Sequence, residues 1–409
     1  MRRPRIDGAA VRAQLRLLPI ALGIAVLAGS ASAVFLVSLD WATAARVAHP
    51  WLLALLPFAG FAVGWVYLRY GRTVERGSNL LIDEIHDPTQ AIPLRMAPMV
   101  LGGTLVSHLF GASVGREGTA VQMGGALADQ FTPLLRLGPA NRSVVLMAGI
   151  SAGFASVFGT PLAGAVFGLE VLALGRVRFD AVLPCLLAAF MADRVTLAWG
   201  VYHTAYAQPA LPPWSPLGLA AMMAAGVAFG LTGRGFASAT HALTAWMRTR
   251  FSYAPMRPLV GGAVVAVTAW AFGLERFLGL GMPTIVQAFE QPLPVLDFAG
   301  KLAFTVASLG SGFKGGEVTP LFFIGATLGN ALAPLLHLPL ALVAAVGFVA
   351  VFGGAARTPI ASTIMAMELF GAGLGVYAAI GCVVAYLCAG DVGIYPAQRR
   401  QAAAATPAE

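Results

Sequence analysis

Apolar residues dominate the chain in long runs that charged residues rarely interrupt. Such runs occur at 17–38, 51–69, 143–171, 180–200 and 256–279. A run of about twenty apolar residues is long enough to cross a bilayer as a helix. The pattern therefore predicts an all-α polytopic membrane protein that crosses the bilayer several times.

Glycine and proline interrupt this pattern throughout, with 48 Gly and 26 Pro in 409 residues. Within a membrane, a broken helix is tolerated only where it packs against protein or lines a cavity. We therefore expect many of the helices to be tilted, short or broken, with the breaks gathered around a site.

Charged residues are few, and the basic ones gather at the ends of the apolar segments. Only 11% of residues are charged, against about 25% in soluble domains, and the net charge of +8 comes from arginines at segment ends. Basic residues beside membrane spans mark cytoplasmic loops. The pattern indicates a lipid bilayer rather than nucleic acid as partner, and predicts an inner (plasma) membrane location with both termini cytoplasmic and an even number of crossings.

The first apolar run has the features of a signal peptide, with an A-x-A site after "LLPIALGIAVLAGSASA". The run continues to Leu39, however, which is too long for a typical signal. We expect an uncleaved first helix. Three cysteines lie in apolar segments without metal-ligand spacing, so we expect no metal and no cofactor.

An internal repeat divides the chain. "TPLAGAVFGLE" at 160–170 aligns with "TPIASTIMAME" at 358–368, and "EGTAVQMGGA" at 117–126 aligns with "EVTPLFFIGA" at 317–326, at separations of 198 and 200 residues. Duplicated halves with interrupted helices are typical of secondary transporters.

The repeat and the composition predict the following organisation: a cytoplasmic N-terminus at 1–16, a first transmembrane half at 17–205, a Pro-rich connection at 206–216, a second half at 217–395, and a cytoplasmic tail at 396–409, without a soluble regulatory domain. The last part of the tail, "QAAAATPAE", is expected to be disordered.

The segment "SVGREGTAVQMGG" places two charges inside an otherwise apolar region. Gly115 and Gly118 flank Arg116 and Glu117, and an apolar helical run follows. Arg116 and Glu117 can be explained as a local ion pair. Alternatively, a carboxylate at a helix N-terminus competes with a soluble anion for the same N–H groups. Because protonation releases such a carboxylate, this arrangement can exchange anions against protons.

Two enzyme motifs also match the chain. "GASVG" matches a nucleophile elbow and "GSGFKG" a dinucleotide-binding loop. Each needs neighbouring strands, and the chain has no α/β pattern to supply them. We therefore set aside both motifs. A membrane-embedded enzyme that uses the acidic residues remains an alternative function, but it would need a metal cluster or a nucleophile–base pair, and neither is visible in the sequence.

"GREG" before a helix, "GGEVTP" in the second half and a late "IYP" together resemble the CLC family of chloride channels and anion/proton antiporters. The resemblance covers nearly the whole chain. Chloride members have proline after "GREG", where this chain has Thr119. That difference, the segment "GFKGGEVTP" and "GSNLLIDEIH" at 77–86 resemble the fluoride/proton antiporter branch, CLC-F. A chloride channel or chloride/proton exchanger of the same fold is the alternative.

The resemblance implies an inverted-repeat fold, a homodimer with one pore per subunit, and fluoride and protons as the transported ions. It also implies roles for particular residues. Glu117 matches the gating glutamate, the amides of Val318 and Thr319 match those that face the central anion, and Tyr395 matches the tyrosine that closes the inner side of the site. For the first anion loop, Asn79 is the expected ligand, and Ser78 remains open.

Chloride exchangers carry a proton-relay glutamate where this chain has Val171. The fluoride branch also lacks it, and Glu317 is the expected replacement. The alternative is a structural role for Glu317 as a protonated carboxyl that is hydrogen-bonded to Thr319. Arg116 is expected to orient the gate loop or to attract anions. For Lys314, attraction of anions and a salt bridge to Glu317 both remain open.

Glu170 and Glu368, which the repeat pairs with each other, are expected to cap a helix or to pair with arginine. The polar segment "IDEIHD" at 82–87 is expected to be a solvated vestibule edge, with a metal or proton site as the alternative.

Overall fold

The computed structural model describes residues 8–174, 178–213 and 215–400. The predictions for residues 1–7 and for the tail "QAAAATPAE" lie outside these ranges. The first helix continues without a break from Gly8 to Ala48.

The described residues are almost entirely helical, which confirms the predicted class. The helices are α1 (Gly8–Ala48), α2 (Leu56–Tyr70), α3 (Ser78–His86), α4 (Met96–Phe110), α5 (Glu117–Asp129), α6 (Phe131–Leu135), α7 (Pro139–Phe158), α8 (Pro161–Glu170), α9 (Val182–Ala198), α10 (Pro216–Arg250), α11 (Met256–Phe272), α12 (Met282–Glu290), α13 (Asp297–Ser311), α14 (Val318–Leu336), α15 (Leu340–Ala356), α16 (Pro359–Phe370) and α17 (Gly375–Ala389). Two short strands, β1 (Ala173–Leu174) and β2 (Arg399–Arg400), pair in parallel.

Seven helical segments in the described part of the chain are long and apolar enough to cross a membrane. Five further apolar helices have only 10–17 residues, including α4 and α11. Several helices end at glycines with positive φ, such as Gly111 at 96° and Gly312 at 107°. These short helices and breaks are the predicted interruptions.

The order of helices in the first half recurs in the second. α3 and α12 each have 9 residues, and α4 and α13 each have 15. Each half begins with a long helix, α1 or α10. The second-to-last helix of each half is short and begins with a proline, Pro161 in α8 and Pro359 in α16. This recurrence has the same spacing as the sequence repeat.

Two helix pairs form the centre of the molecule. α7 and α15 are buried along nearly their whole length, as expected for helices that are apolar on every side. α7 packs on α5 and α15 packs on α14, and in both pairs facing glycines bring the backbones together. A Cβ at Gly124 would lie 2.3 Å from the Gly149 carbonyl oxygen, and one at Gly325 would lie 2.0 Å from that of Gly347.

The two halves also cap each other. The Glu170 carboxylate, at the end of α8, accepts hydrogen bonds from the first amides of α16, at Ile360 (3.0 Å) and Ala361 (2.7 Å). Glu368 in α16 accepts from Leu162 (2.9 Å) and Ala163 (2.8 Å) in α8. Of the two expected roles, capping is therefore the one observed.

Candidate functional site

The site begins where two glycine loops, one from each half, meet. Gly115 N–H donates to the Gly316 oxygen at 2.6 Å, and Gly316 N–H donates to the Gly115 oxygen at 2.7 Å. A Cβ at Gly316 would lie 2.7 Å from the Gly118 nitrogen, so a side chain there would clash with backbone. The contact places the N-termini of α5 and α14 next to each other. Each offers unpaired N–H groups and the positive end of a helix dipole.

Glu117 is the first residue of α5 and has no solvent exposure. Its carboxylate points to the other half, where it accepts a hydrogen bond from Thr319 N–H at 3.0 Å. The Thr319 hydroxyl also donates to this carboxylate, at 2.5 Å. Glu117 thus occupies the N-terminus of α14, a place where a soluble anion would otherwise bind.

The structure contains the ion pair as well. Arg116 Nε lies 3.2 Å from Glu117 Oε1, and the Arg116 backbone N–H donates to Oε2 at 3.2 Å. The ion pair and the binding of Glu117 to α14 are therefore present together. Thr119, two residues further along α5, has its hydroxyl 2.7 Å from that of Thr104 in α4.

A cavity of about 700 Å³ approaches this centre from one side. Its walls include four of the residues expected at the site: Ser78, Asn79, Glu317 and Tyr395. Tyr395 is 5% exposed, and Ile394 just before it is held by a 2.9 Å hydrogen bond to the Ala355 oxygen. The structure thus brings together residues that are more than 300 positions apart in the chain.

Asn79 has a defined orientation. Its Oδ1 accepts a hydrogen bond from Ala397 N–H at 3.1 Å, and a backbone N–H requires an oxygen there. Within the ranges that the structure describes, the Nδ2 group of Asn79 has no hydrogen-bond acceptor. The amide is therefore able to donate into the cavity.

Two of the alternatives that the sequence left open for the second loop are not observed. Thr319 donates to Glu117 and not to Glu317, because its hydroxyl sits at the first turn of α14 facing α5. The Glu317 carboxylate accepts no hydrogen bond from another residue in the described part of the chain. Lys314 does not pair with Glu317 either, since its Nζ lies 4.1 Å from the ring centre of Tyr67.

A second cavity, of about 470 Å³, approaches from the other side. Arg46, Arg116 and Arg276 line it. Arg116, whose Nε pairs with the Glu117 carboxylate, lines the second cavity, and Glu317, two residues before Thr319, lines the first. The two partners of Glu117 therefore connect it to the walls of both cavities.

Sequence reasoning missed a buried ionic network around Arg142. Its Nε and Nη2 donate to Asp129, both at 2.8 Å, and its Nη1 donates to Glu84 at 3.0 Å. The network joins the end of α3, the end of α5 and the start of α7. Three charged residues inside apolar segments were the available signal, but their spacing along the chain did not show that they meet.

The segment "IDEIHD" divides between two environments. Glu84 lies in the buried network, while Asp83 pairs with Arg76 and Asp87 pairs with Arg399 on more exposed faces. The expected vestibule edge therefore describes only part of the segment.

Val171, the residue that follows α8, is buried at 3% exposure.

Comparison with known proteins adds an independent line of observation. A family model described as "Voltage gated chloride channel" matches residues 59–390. A "Chloride/fluoride channel protein" from Pseudomonas syringae pv. tomato is 61% identical over 382 residues, which cover 92% of this chain and 84% of that relative.

Two solved structures have the same arrangement of helices. The crystal structure of a CLC-type fluoride/proton antiporter matches with a TM-score of 0.92 at 36% identity, covering 95% of this chain and 98% of that one. A slow cyanobacterial Cl⁻/H⁺ antiporter matches with a TM-score of 0.82 at 20% identity, covering 93% and 96%, and this likeness concerns the fold alone.

Proposed function

The chain belongs to the voltage-gated chloride channel (CLC) family, and from that premise we propose that it is a fluoride/proton antiporter. It exports fluoride and couples that export to proton influx. The observation that carries the proposal is the position of Glu117. This fully buried carboxylate accepts the N–H and hydroxyl of Thr319 at the N-terminus of α14, and its partners connect it to the walls of both cavities.

Competition for the α14 N-terminus explains the exchange. While Glu117 is ionised, it holds the donors that an entering anion needs. Protonation removes its charge and weakens the charge-assisted hydrogen bonds, which are roughly twice as strong as neutral ones. An anion then takes the place of the carboxylate, and the protonated side chain leaves towards Arg116. Each anion that passes therefore requires a protonation event at Glu117.

Glu317 provides the second proton position. Its carboxylate lines the 700 Å³ cavity and stands one residue before α14. Val171 fills the position of the relay glutamate in chloride exchangers and cannot carry a proton. Glu317 is therefore assigned as the relay between Glu117 and the first cavity.

The anion ligands are all hydrogen-bond donors. The amides of Val318 and Thr319, the Asn79 Nδ2 group and the Tyr395 hydroxyl fulfil this requirement. Fluoride is small and strongly hydrated, so it gains most from donors that replace its water. Ser78, at the cavity wall beside Asn79, is assigned a supporting role.

We also propose a membrane location, a division into two halves and an oligomeric state. We assign the chain to the inner membrane with both termini cytoplasmic, and treat 17–205 and 217–395 as the two halves joined by 206–216. The family resemblance implies a homodimer with one pore in each subunit. Exposed apolar side chains such as Phe190, Ile360 and Leu387 support a face covered by lipid or by a second copy.

The test is anion efflux from liposomes that contain the purified protein, recorded with fluoride, chloride and pH electrodes together. Fast fluoride loss with stoichiometric proton uptake and little chloride loss is the expected result. Equal or faster chloride loss would refute the fluoride assignment and place the protein with the chloride exchangers. Absence of any anion flux would refute a transport function.

Three variants sharpen this test. Glu117→Gln keeps the size of the side chain and replaces the carboxyl group with an amide that cannot carry a proton. Fluoride efflux should therefore continue without proton uptake. Glu317→Gln should also abolish proton uptake. The matched control is Glu290→Gln, at the exposed end of α12, which should behave as the wild type. Stoichiometric proton uptake by Glu117→Gln would contradict the mechanism.

A further inference from the structure

The segment around and after Tyr395, residues 394–400, is called the strap here. It forms part of the wall of the first cavity. The strap begins with the Ile394 N–H bond to the Ala355 oxygen. It ends in β2, which pairs with β1 through Ala173↔Arg399 and Leu174↔Arg400. It therefore connects the segment that carries Tyr395 to the end of the first repeat.

Gln398 is the polar centre of the strap. Its Nε2 donates to the Val171 oxygen at 2.9 Å and to the Ala356 oxygen at 2.8 Å. Val171 follows the last residue of α8 and Ala356 is the last residue of α15, so both carbonyls belong to helix ends that lack helical partners. One side-chain amide thus binds one helix end from each half, and both of its N–H groups are used.

The strap also contacts the first anion loop directly. Ala397 N–H donates to Asn79 Oδ1 at 3.1 Å, which turns the Asn79 Nδ2 group away from the strap. The fixed backbone position of Ala397 therefore determines where this donor points. Gln398 follows Ala397 and holds that backbone in place. Tyr395 precedes Ala397 by two residues in the same strap.

We propose that Gln398 is a positioning residue for anion selectivity, which sets the places of the Asn79 amide and the Tyr395 hydroxyl through the strap. This inference rests on the proposed function, because it assigns a role to Gln398 only if those two groups bind the anion. Fluoride depends on close contact with its donors, while chloride is larger and tolerates looser ones. Loosening the strap therefore costs fluoride more than chloride.

The outer end of the strap supplies a matched control. Arg399 forms an ion pair with Asp87, and both side chains are about half exposed or more. The Arg399 guanidinium holds the pKa of the Asp87 carboxyl below its usual range. Exposed ion pairs contribute little to stability, so losing this pair should leave the strap in place.

The experiment compares Gln398→Met with Arg399→Gln in liposome efflux. Met matches the length of Gln and donates no hydrogen bond. We expect Gln398→Met to lower the ratio of fluoride to chloride turnover by about tenfold, and Arg399→Gln to stay within about twofold of the wild type. The ratio is measured on the same vesicles, so it does not depend on the fraction of protein that folds.

A mutant cycle separates positioning from general loosening. If Gln398 acts through Asn79 and Tyr395, adding Gln398→Met to the double variant Asn79→Ala/Tyr395→Phe should leave the selectivity of that double variant unchanged. Ala397→Pro, which removes the N–H that holds Asn79 Oδ1, should reproduce the loss seen in Gln398→Met. A purely structural role predicts losses that add.

The outcomes separate the two proposals. A fluoride-selective wild type with an unchanged ratio in Gln398→Met overturns the strap inference and leaves the antiporter intact. A wild type that carries chloride as fast as fluoride overturns the proposed function. The strap inference, which rests on fluoride selectivity, is then overturned together with it.

Discussion

The Arg142 network allows a stability prediction whose size follows from counted hydrogen bonds. Glu84 accepts from Thr89 N–H (2.8 Å), Thr89 Oγ1 (2.6 Å), Gln90 N–H (3.2 Å) and Arg142. Replacing Arg142 with Met leaves Glu84 with three of these four donors. Asp129 loses both guanidinium bonds and keeps two donors, Ile92 N–H at 2.6 Å and Thr132 Oγ1 at 2.8 Å.

Breaking a buried pair from one side costs about 3–5 kcal/mol because the remaining charge is left uncompensated. Both carboxylates keep some donors here, so we expect Arg142→Met to cost about 3 kcal/mol, at the lower end of that range. The control is Arg194→Met. The Arg194 side chain is 66% exposed, and its partner Asp193 keeps the hydrogen bond from His203, so the cost should be below about 1 kcal/mol.

The assay is the thermal midpoint of unfolding in detergent, followed by size-exclusion chromatography after heating. Arg142→Met should unfold well below the wild type, and Arg194→Met should unfold near it. The fluoride-to-chloride ratio of folded Arg142→Met should remain that of the wild type, because the network does not contact the strap. Equal midpoints for the two variants would show that the buried network does not carry the stability assigned to it.

Three further predictions follow from contacts described above. Glu170→Gln and Glu368→Gln should each cost about 1 kcal/mol of stability, measured by thermal unfolding, because each carboxylate accepts two backbone N–H bonds on its two oxygens and glutamine has only one acceptor oxygen. A midpoint that moves in only one of them would contradict their equivalence. Gly124→Ala should cost about 2 kcal/mol, since its Cβ would meet the α7 backbone. Gly102→Ala, with nothing within 4 Å, should be neutral or slightly stabilising. Lys314→Met should slow fluoride efflux about threefold at low salt and much less at high salt, and equal effects at both salt concentrations would refute an electrostatic role.

The fold was predictable because its signals repeat. Apolar runs, glycine breaks and two aligned segments each pointed to a polytopic bundle built from two related halves. The position of Glu117 at a helix N-terminus was also predictable, since Gly115 and Gly118 flank it and an apolar run follows. Local chemistry was enough in these cases.

The partners of the charged groups were not predictable. The sequence placed Thr319 beside Glu317, but the hydroxyl meets Glu117 of the other half. Arg142 and Glu84 are 58 positions apart, and no local pattern relates them. Gln398 lies in the segment predicted only as a cytoplasmic tail, and nothing in the sequence indicated that it binds two helix ends. Such pairings depend on how the two halves dock, which the periodicity of one half does not encode.

The reciprocal hydrogen bonds between Gly115 and Gly316 constrain how the ions can move. Alternating access in many transporters requires one half to rock against the other around a fixed site. Here the two halves are joined at the site itself, by two backbone bonds beside both ion-facing helix ends. Rocking would break them with every cycle. The joint is instead consistent with the proposed mechanism, in which the backbone stays in place and the Glu117 side chain moves.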